Sequence, residues 1–215
     1  MQVTRLADGL WRWTARHPAW TPEQGGPSGW DAEVSSLYLE APDAVVLLDP
    51  LVPEDERDRF VAALDADVER ARRPVAIVIT LDDHERSADE LRNRYGAGVW
   101  ATAAAGNTMD VELTHPFRPG DALPGGIVPF DAGRPGEVAA WIRPHATLFT
   151  GDAILGGSDA LRLCPDSWLP EETTPERFRE TLRPLLELAV ERVVPSHGEP
   201  VTEGAREALR RALAA

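Results

Sequence analysis

The sequence has no lysine, so all 22 basic residues are arginine. That absence excludes a P-loop, a pyridoxal Schiff base and any lysine nucleophile, because each needs an ε-amine. Cysteine occurs once, as Cys164. A single thiol makes no disulfide within the chain and no cysteine-rich zinc site. Positive charge is scarce: 36 acidic residues against 22 basic ones leave a net charge of −14. Nucleic acid needs clustered cations against its phosphates, and an anionic membrane surface needs the same, so neither is expected as a partner. Long apolar runs are also missing. Ala44–Leu48 and Val75–Ile79 are of strand length, far short of the roughly 20 residues that cross a bilayer. Arg5, Asp8 and Arg12 interrupt the first stretch, which leaves no apolar core for a secretory signal; a cytoplasmic protein is expected.

What is present is a chain of 215 residues, the length of one domain over 1–215 with a sizeable core. Leu6–Trp13 reads as a first strand, and the proline- and glycine-rich Thr21–Gly29 as a loop. Ser35–Glu40 and Ala44–Leu48 read as a hairpin closed by Asp49-Pro50. Phe60, Val61, Leu64 and Val68 recur at helical spacing within a helix over Glu54–Arg72. Val75–Thr80 is a strand covered on both faces, Ser87–Tyr95 a short helix ended by Gly96, and Val99–Ala101 a brief strand. Strand signals run from Glu112 to Thr150. Pro165–Thr174 reads as a loop, Thr174–Leu188 as a helix, Arg192–Pro195 as a last strand and Glu203–Leu213 as a closing helix. Strand runs followed by helices predict an α/β or α+β layered domain, a sheet sandwich with helices outside.

Three polar clusters follow strands directly: Thr80-Leu81-Asp82-Asp83-His84-Glu85-Arg86-Ser87, Thr150-Gly151-Asp152-Ala153, and Pro195-Ser196-His197-Gly198-Glu199-Pro200. Strand ends are where layered α/β folds gather their sites. The order of these clusters, with Leu48-Asp49-Pro50 before them and an Asp131–Pro135 turn between, resembles the metallo-β-lactamase superfamily over nearly the whole chain. The resemblance implies an αββα sandwich of two mixed sheets and, in the family, a hydrolase with two metals, typically zinc.

The ligand residues depart from the family pattern Thr-His-x-His-x-Asp-His. With Thr80 on the family threonine, the four ligand positions hold Leu81, Asp83, Glu85 and Arg86, and Arg134 or a neighbour occupies the region of the next histidine. Asp152 matches the metal-bridging aspartate and His197 the last histidine. A one-residue shift of the first cluster would put His84 at a ligand position. Leucine has no lone pair and arginine keeps its proton, so a two-zinc site is not expected.

The first expectation is therefore a metal-free, catalytically impaired protein. In it Arg86, Arg134 or both pair with Asp152, no cofactor binds, and the arginines bind a small anionic ligand. The alternative is an enzyme with Asp152 and His197 as catalytic residues. One divalent ion (manganese, iron, magnesium or zinc) would be held by Asp83, Glu85, Asp152 and His197, with His84 beside them. That enzyme would hydrolyse a small ester, thioester, lactone or phosphoester. His17, His115 and His145 are expected to be structural, and Trp20 and Trp30 are candidates for a pocket rim.

Overall fold

Valine, isoleucine and leucine fill the central strands, and the computed structural model, which describes residues 1–26, 29–157 and 160–214, stacks them in two sheets. Residues 27 and 28 of the expected Thr21–Gly29 loop lie outside the described residues. The first sheet has seven strands in chain order: β1 (Gln2–Ala7), β2 (Leu10–Arg16), β3 (Glu33–Glu40), β4 (Val45–Leu48), β5 (Val75–Val78), β6 (Gly98–Thr102) and β7 (His115–Phe117). Pairing is antiparallel from β1 to β4 and parallel from β4 to β7. The single strand expected over Leu6–Trp13 is instead a hairpin, because Asp8-Gly9 turns the chain back on itself and pairs Ala7 with Leu10.

The second sheet contains β8 (Ile127–Asp131), β9 (Val138–Ile142), β10 (Thr147–Phe149) and β13 (Arg192–Val194), in the spatial order β13-β10-β9-β8. A small ribbon, β11 (Ile154–Gly156) with β12 (Leu161–Leu163), was not legible in the sequence. Among the described residues five α-helices flank the sheets: α1 (Arg57–Ala71), α2 (Ala88–Tyr95), α3 (Ala103–Gly106), α4 (Pro175–Leu182) and α5 (Ala205–Ala214). The helix expected over Thr174–Leu188 stops at Leu182 and tightens into a 3₁₀ turn over Arg183–Glu187, as Pro184 removes a backbone donor. Among the described residues no helix is long and apolar enough to cross a membrane.

Alternation along the strands sorts side chains into three apolar layers. Leu37, Leu39, Val46, Leu48 and Val78 meet Ile127, Val138, Ala140, Ile142 and Phe149 between the two sheets. Val45, Leu47, Ile77 and Val99 pack outward on Phe60 and Leu64 of α1 and Leu91 of α2. Trp141, Leu148 and Val193 pack outward on Phe178 and Leu182 of α4 and Leu209 and Ala212 of α5. The order is helix, sheet, sheet, helix. Chain segments leaving β4, β5, β10 and β13, and the segment entering β9, converge at one end of the sandwich.

Candidate functional site

The convergence begins with Asp49, just after β4. Asp49 is fully buried and holds a left-handed φ of 45°, unusual for a residue other than glycine. Its carboxylate compensates for that conformation. Oδ1 accepts the Thr80 amide at 2.8 Å, and Oδ2 accepts the Thr80 hydroxyl and lies 2.7 Å from His84 Nδ1. A 3₁₀ turn over Asp82–His84 swings His84 inward, where only 4% of it is exposed. With Nδ1 committed to Asp49, Nε2 points to the cluster centre, 3.2 Å from Asp152 Oδ1.

Asp152 arrives from the other sheet, after β10. Gly151 precedes it at φ 52°, where a Cβ would crowd Glu137 Oε1 at 3.1 Å and Thr80 Oγ1 at 3.2 Å. Glu137, buried at the start of β9, accepts the Asp152 amide through Oε1 at 2.9 Å. His197, after β13, brings its Nε2 to 3.1 Å from the same Asp152 Oδ1. His84, Asp152 and His197 each offer one ligand atom, and these atoms all lie within 4.8 Å of one another. Although two imidazole nitrogens sit this close, Asp152 Oδ1 has no partner in a hydrogen-bonding direction, and His197 Nδ1 is likewise buried without one.

Charge follows from this packing. Burial and Arg86 pull the His84 pKa down, but the carboxylates of Asp152 and Asp49 outweigh them and raise it to about 9. Burial works to raise the Asp152 pKa, yet the charge of His84 and the proximity of His197 hold that carboxyl well below its usual range. Desolvation pushes Glu137 up, against the pull of Arg134.

The sequence-derived candidates divide sharply. Asp152 and His197 stand together, with Arg134 beside them: its Nε donates to Glu137 Oε2 at 2.6 Å, and its Nη2 lies 3.6 Å from Asp152 Oδ2. Arg86 is elsewhere than expected. Among the described residues it makes no ion pair with Asp152. Its Nη1 donates to the Ser35 and Asp49 carbonyls at 2.9 Å each, and its Nη2 to Ser196 Oγ at 2.7 Å. Arg86 holds a left-handed φ of 44°, and these bonds lay its guanidinium across the ends of the strands. Asp83 and Glu85 do not join the cluster. Asp83 is exposed on the 3₁₀ turn, and Glu85 Oε2 accepts the Asp110 and Val111 amides at 2.8 and 3.2 Å.

Asp49, Glu137 and Arg12 were missed in the sequence. Arg12, 5% exposed, donates Nε to Ser35 Oγ at 2.9 Å and Nη2 to the Gly198 carbonyl at 3.1 Å, fastening the His197 loop to the first sheet. Trp30 forms a wall on His197, ring centroids 5.1 Å apart, while Trp20 donates its Nε1 to the Trp30 carbonyl at 3.0 Å. His17 packs on Trp30 at 5.2 Å; burial and the charges of Arg86, His84 and His197 press its pKa to about 4, so it stays neutral. Burial pushes the Cys164 thiol up to about 12, which removes it as a thiolate ligand near neutral pH.

No protein-family model and no curated protein matches this sequence. Solved structures do. The chain is similar to the metallo-β-lactamase DIM-1 at 13% identity, covering 99% of this chain and 95% of that one with a TM-score of 0.72. It is similar to the metallo-β-lactamase IND-7 at 19% identity, covering 100% and 98%, TM-score 0.69. It is also similar to the metallo-β-lactamase FIM-1 from Pseudomonas aeruginosa in its mono-zinc form, at 14% identity, covering 99% and 94%, TM-score 0.69. The chain has the metallo-β-lactamase fold.

On the metallo-β-lactamase fold, the two-metal set implied by the resemblance does not fit these residues. Leu81 is buried and carries no donor atom, the Arg86 guanidinium is spent on the Ser35 and Asp49 carbonyls and Ser196, and Arg134 is paired with Glu137; no guanidinium can ligate. A single ion does fit. Two imidazole nitrogens and a carboxylate oxygen converge, the oxygen and His197 Nδ1 are orphaned, and His84 is backed by a carboxylate in the arrangement that orients metal-binding histidines.

Proposed function

We propose that this protein is a single-ion hydrolase on the metallo-β-lactamase fold, acting on a small anionic ester, thioester, lactone or phosphoester. His84, Asp152 and His197 are the residues that would hold the ion. The observation that carries the reading is the pair of imidazole Nε2 atoms 3.1 and 3.2 Å from one buried Asp152 oxygen, neither in a hydrogen-bonding direction. Donor atoms grouped this way suit a shared cation better than one another. That a solved neighbour of the same fold bears the description mono-zinc supports a one-ion site on this scaffold.

A bound divalent ion supplies Lewis acidity and lowers the pKa of water. The remaining work falls to the chain. Asp49 Oδ2 accepts the Nδ1 proton of His84 and so keeps Nε2 free as a donor atom. Glu137 holds the Asp152 backbone, and Arg134 offsets the carboxylates of Glu137 and Asp152. Trp30 and Trp168 shield His197 from bulk water.

The test is hydrolysis of a panel of small esters, thioesters, lactones and phosphoesters by protein stripped of metal and by protein loaded with manganese or zinc. Saturable turnover only in the loaded protein, abolished by Asp152→Ala, is expected; a silent panel in fully loaded protein contradicts the proposal. One observation favours the metal-free, non-catalytic reading instead: Arg134 Nη2 already lies 3.6 Å from Asp152 Oδ2. Its signature would be a melting temperature indifferent to chelator and to added metal.

A further inference from the structure

A cavity reaches Arg134 from outside the cluster, between α4, the Asp131–Glu137 turn and the ends of β6 and β7. Its volume is about 500 Å³, the size of a small-metabolite pocket. We propose that this cleft is an anion-binding subsite that takes a carboxylate or phosphate group of a small ligand through Arg118, Arg134 and Arg177. The cleft stands on its own geometry; only calling its occupant the anionic half of the substrate rests on the function proposed above.

Three arginines line this one cavity in a chain of net charge −14. Arg118 and Arg177 are exposed, and neither forms an ion pair among the described residues. Three acids share the lining, and among the described residues only Glu137 of these has a cationic partner, Arg134. Asp131 Oδ1 accepts the Gly133 amide at 2.9 Å, and Glu137 is paired with Arg134. Glu172 remains at the exposed rim. The unpartnered, buried Nη2 of Arg134 faces Asp152, so Arg134 contributes its charge to the cleft rather than that atom. A guanidinium fork suits the two oxygens of a carboxylate or phosphate.

Placement makes the cleft more than a charged surface. Arg134 lines it on one side and lies 3.6 Å from Asp152 on the other. Arg134 is thus the side chain shared by the cleft and the His84–Asp152–His197 cluster. The Arg134 turn packs closely on α4: Gly133, at φ 84°, sits where a Cβ would lie 2.5 Å from Phe178.

The experiment is calorimetric titration of the full-length, metal-stripped protein with inorganic phosphate and, separately, with succinate, at constant ionic strength. Wild type and the double variant Arg118→Ser/Arg177→Ser are compared; both positions are on the surface, so the variant folds. One anion bound per chain, weakened at least tenfold in the double variant, supports the cleft. Binding of phosphate alone assigns a phosphate ligand, and binding of succinate assigns a carboxylate. No binding of either probe, or binding equally tight in the double variant, overturns the proposal. Metal content of the same protein after incubation with manganese or zinc and removal of the excess separates the two claims: anion binding by a protein that takes up no metal sustains the cleft and refutes the single-ion reading.

Discussion

At the position of Asp49, one buried carboxylate accepts hydrogen bonds from the Thr80 amide and hydroxyl and orients His84. A different balance holds at Arg134 and Glu137, where a guanidinium and a carboxylate are buried together. Replacing Arg134 by alanine leaves Glu137 without its cation. We expect a loss of about 3–5 kcal/mol in urea denaturation, with part recovered in Arg134→Met/Glu137→Met; a loss below about 1 kcal/mol would show that the pair does little for the fold. His84 sets the pH response of the metal-free protein. Its folded pKa of about 9 lies above the ordinary value of 6.5, so its ion pairs stabilise fully below pH 6.5 and lose that contribution as pH rises through 9. Asp152 has the opposite sign, its contribution being present above the ordinary value of 3.8 and lost as pH falls further. Chemical denaturation of stripped protein should therefore show stability falling between pH 6.5 and 9, and His84→Asn should flatten that slope. An unchanged slope in the variant would remove His84 from the account.

Among the elements, the connections after strands do the functional positioning, and they depend on backbone more than on pattern. Gly198 follows His197 at φ 87°, and a Cβ there would lie 2.2 Å from the Gly156 carbonyl oxygen. Gly198→Ala should cost about 1–3 kcal/mol and displace His197, visible as a lower melting temperature together with weaker metal uptake. Full metal affinity at wild-type stability would refute that coupling. Strands and helices were legible because burial imposes periods: the spacing of Phe60 and Leu64 gave α1, and the apolar run Val75–Ile79 gave β5. The first cluster was not, because a short 3₁₀ turn has no period to read. A strict register from Thr80 put Asp83 and Glu85 at ligand positions, whereas the turn over Asp82–His84 sends His84 inward and leaves those two outside. The shift by one residue that favours His84 was the available signal. Glu137 and Asp49 had no signal of their own, since each acts through partners 15 and 35 residues away in sequence.

For the whole molecule, two stacked sheets deliver side chains from distant parts of the chain to one end. Asp49, Thr80 and His84 come with the first sheet; Glu137, Asp152 and His197 come with the second. Arg12 and Arg86 tie the two sets together through Ser35, Ser196 and Gly198. The sandwich itself was readable from strand order and cluster order. Asp152 and His197, picked out in the sequence, stand together at that end, joined by His84 in place of Asp83 and Glu85. Metal titration followed by elemental analysis counts the cations that this end of the sandwich holds. One divalent ion per chain is expected in wild type, with uptake lost in both His84→Ala and Asp152→Ala. Two ions per chain, or none at saturating manganese and zinc, would contradict a single-ion site.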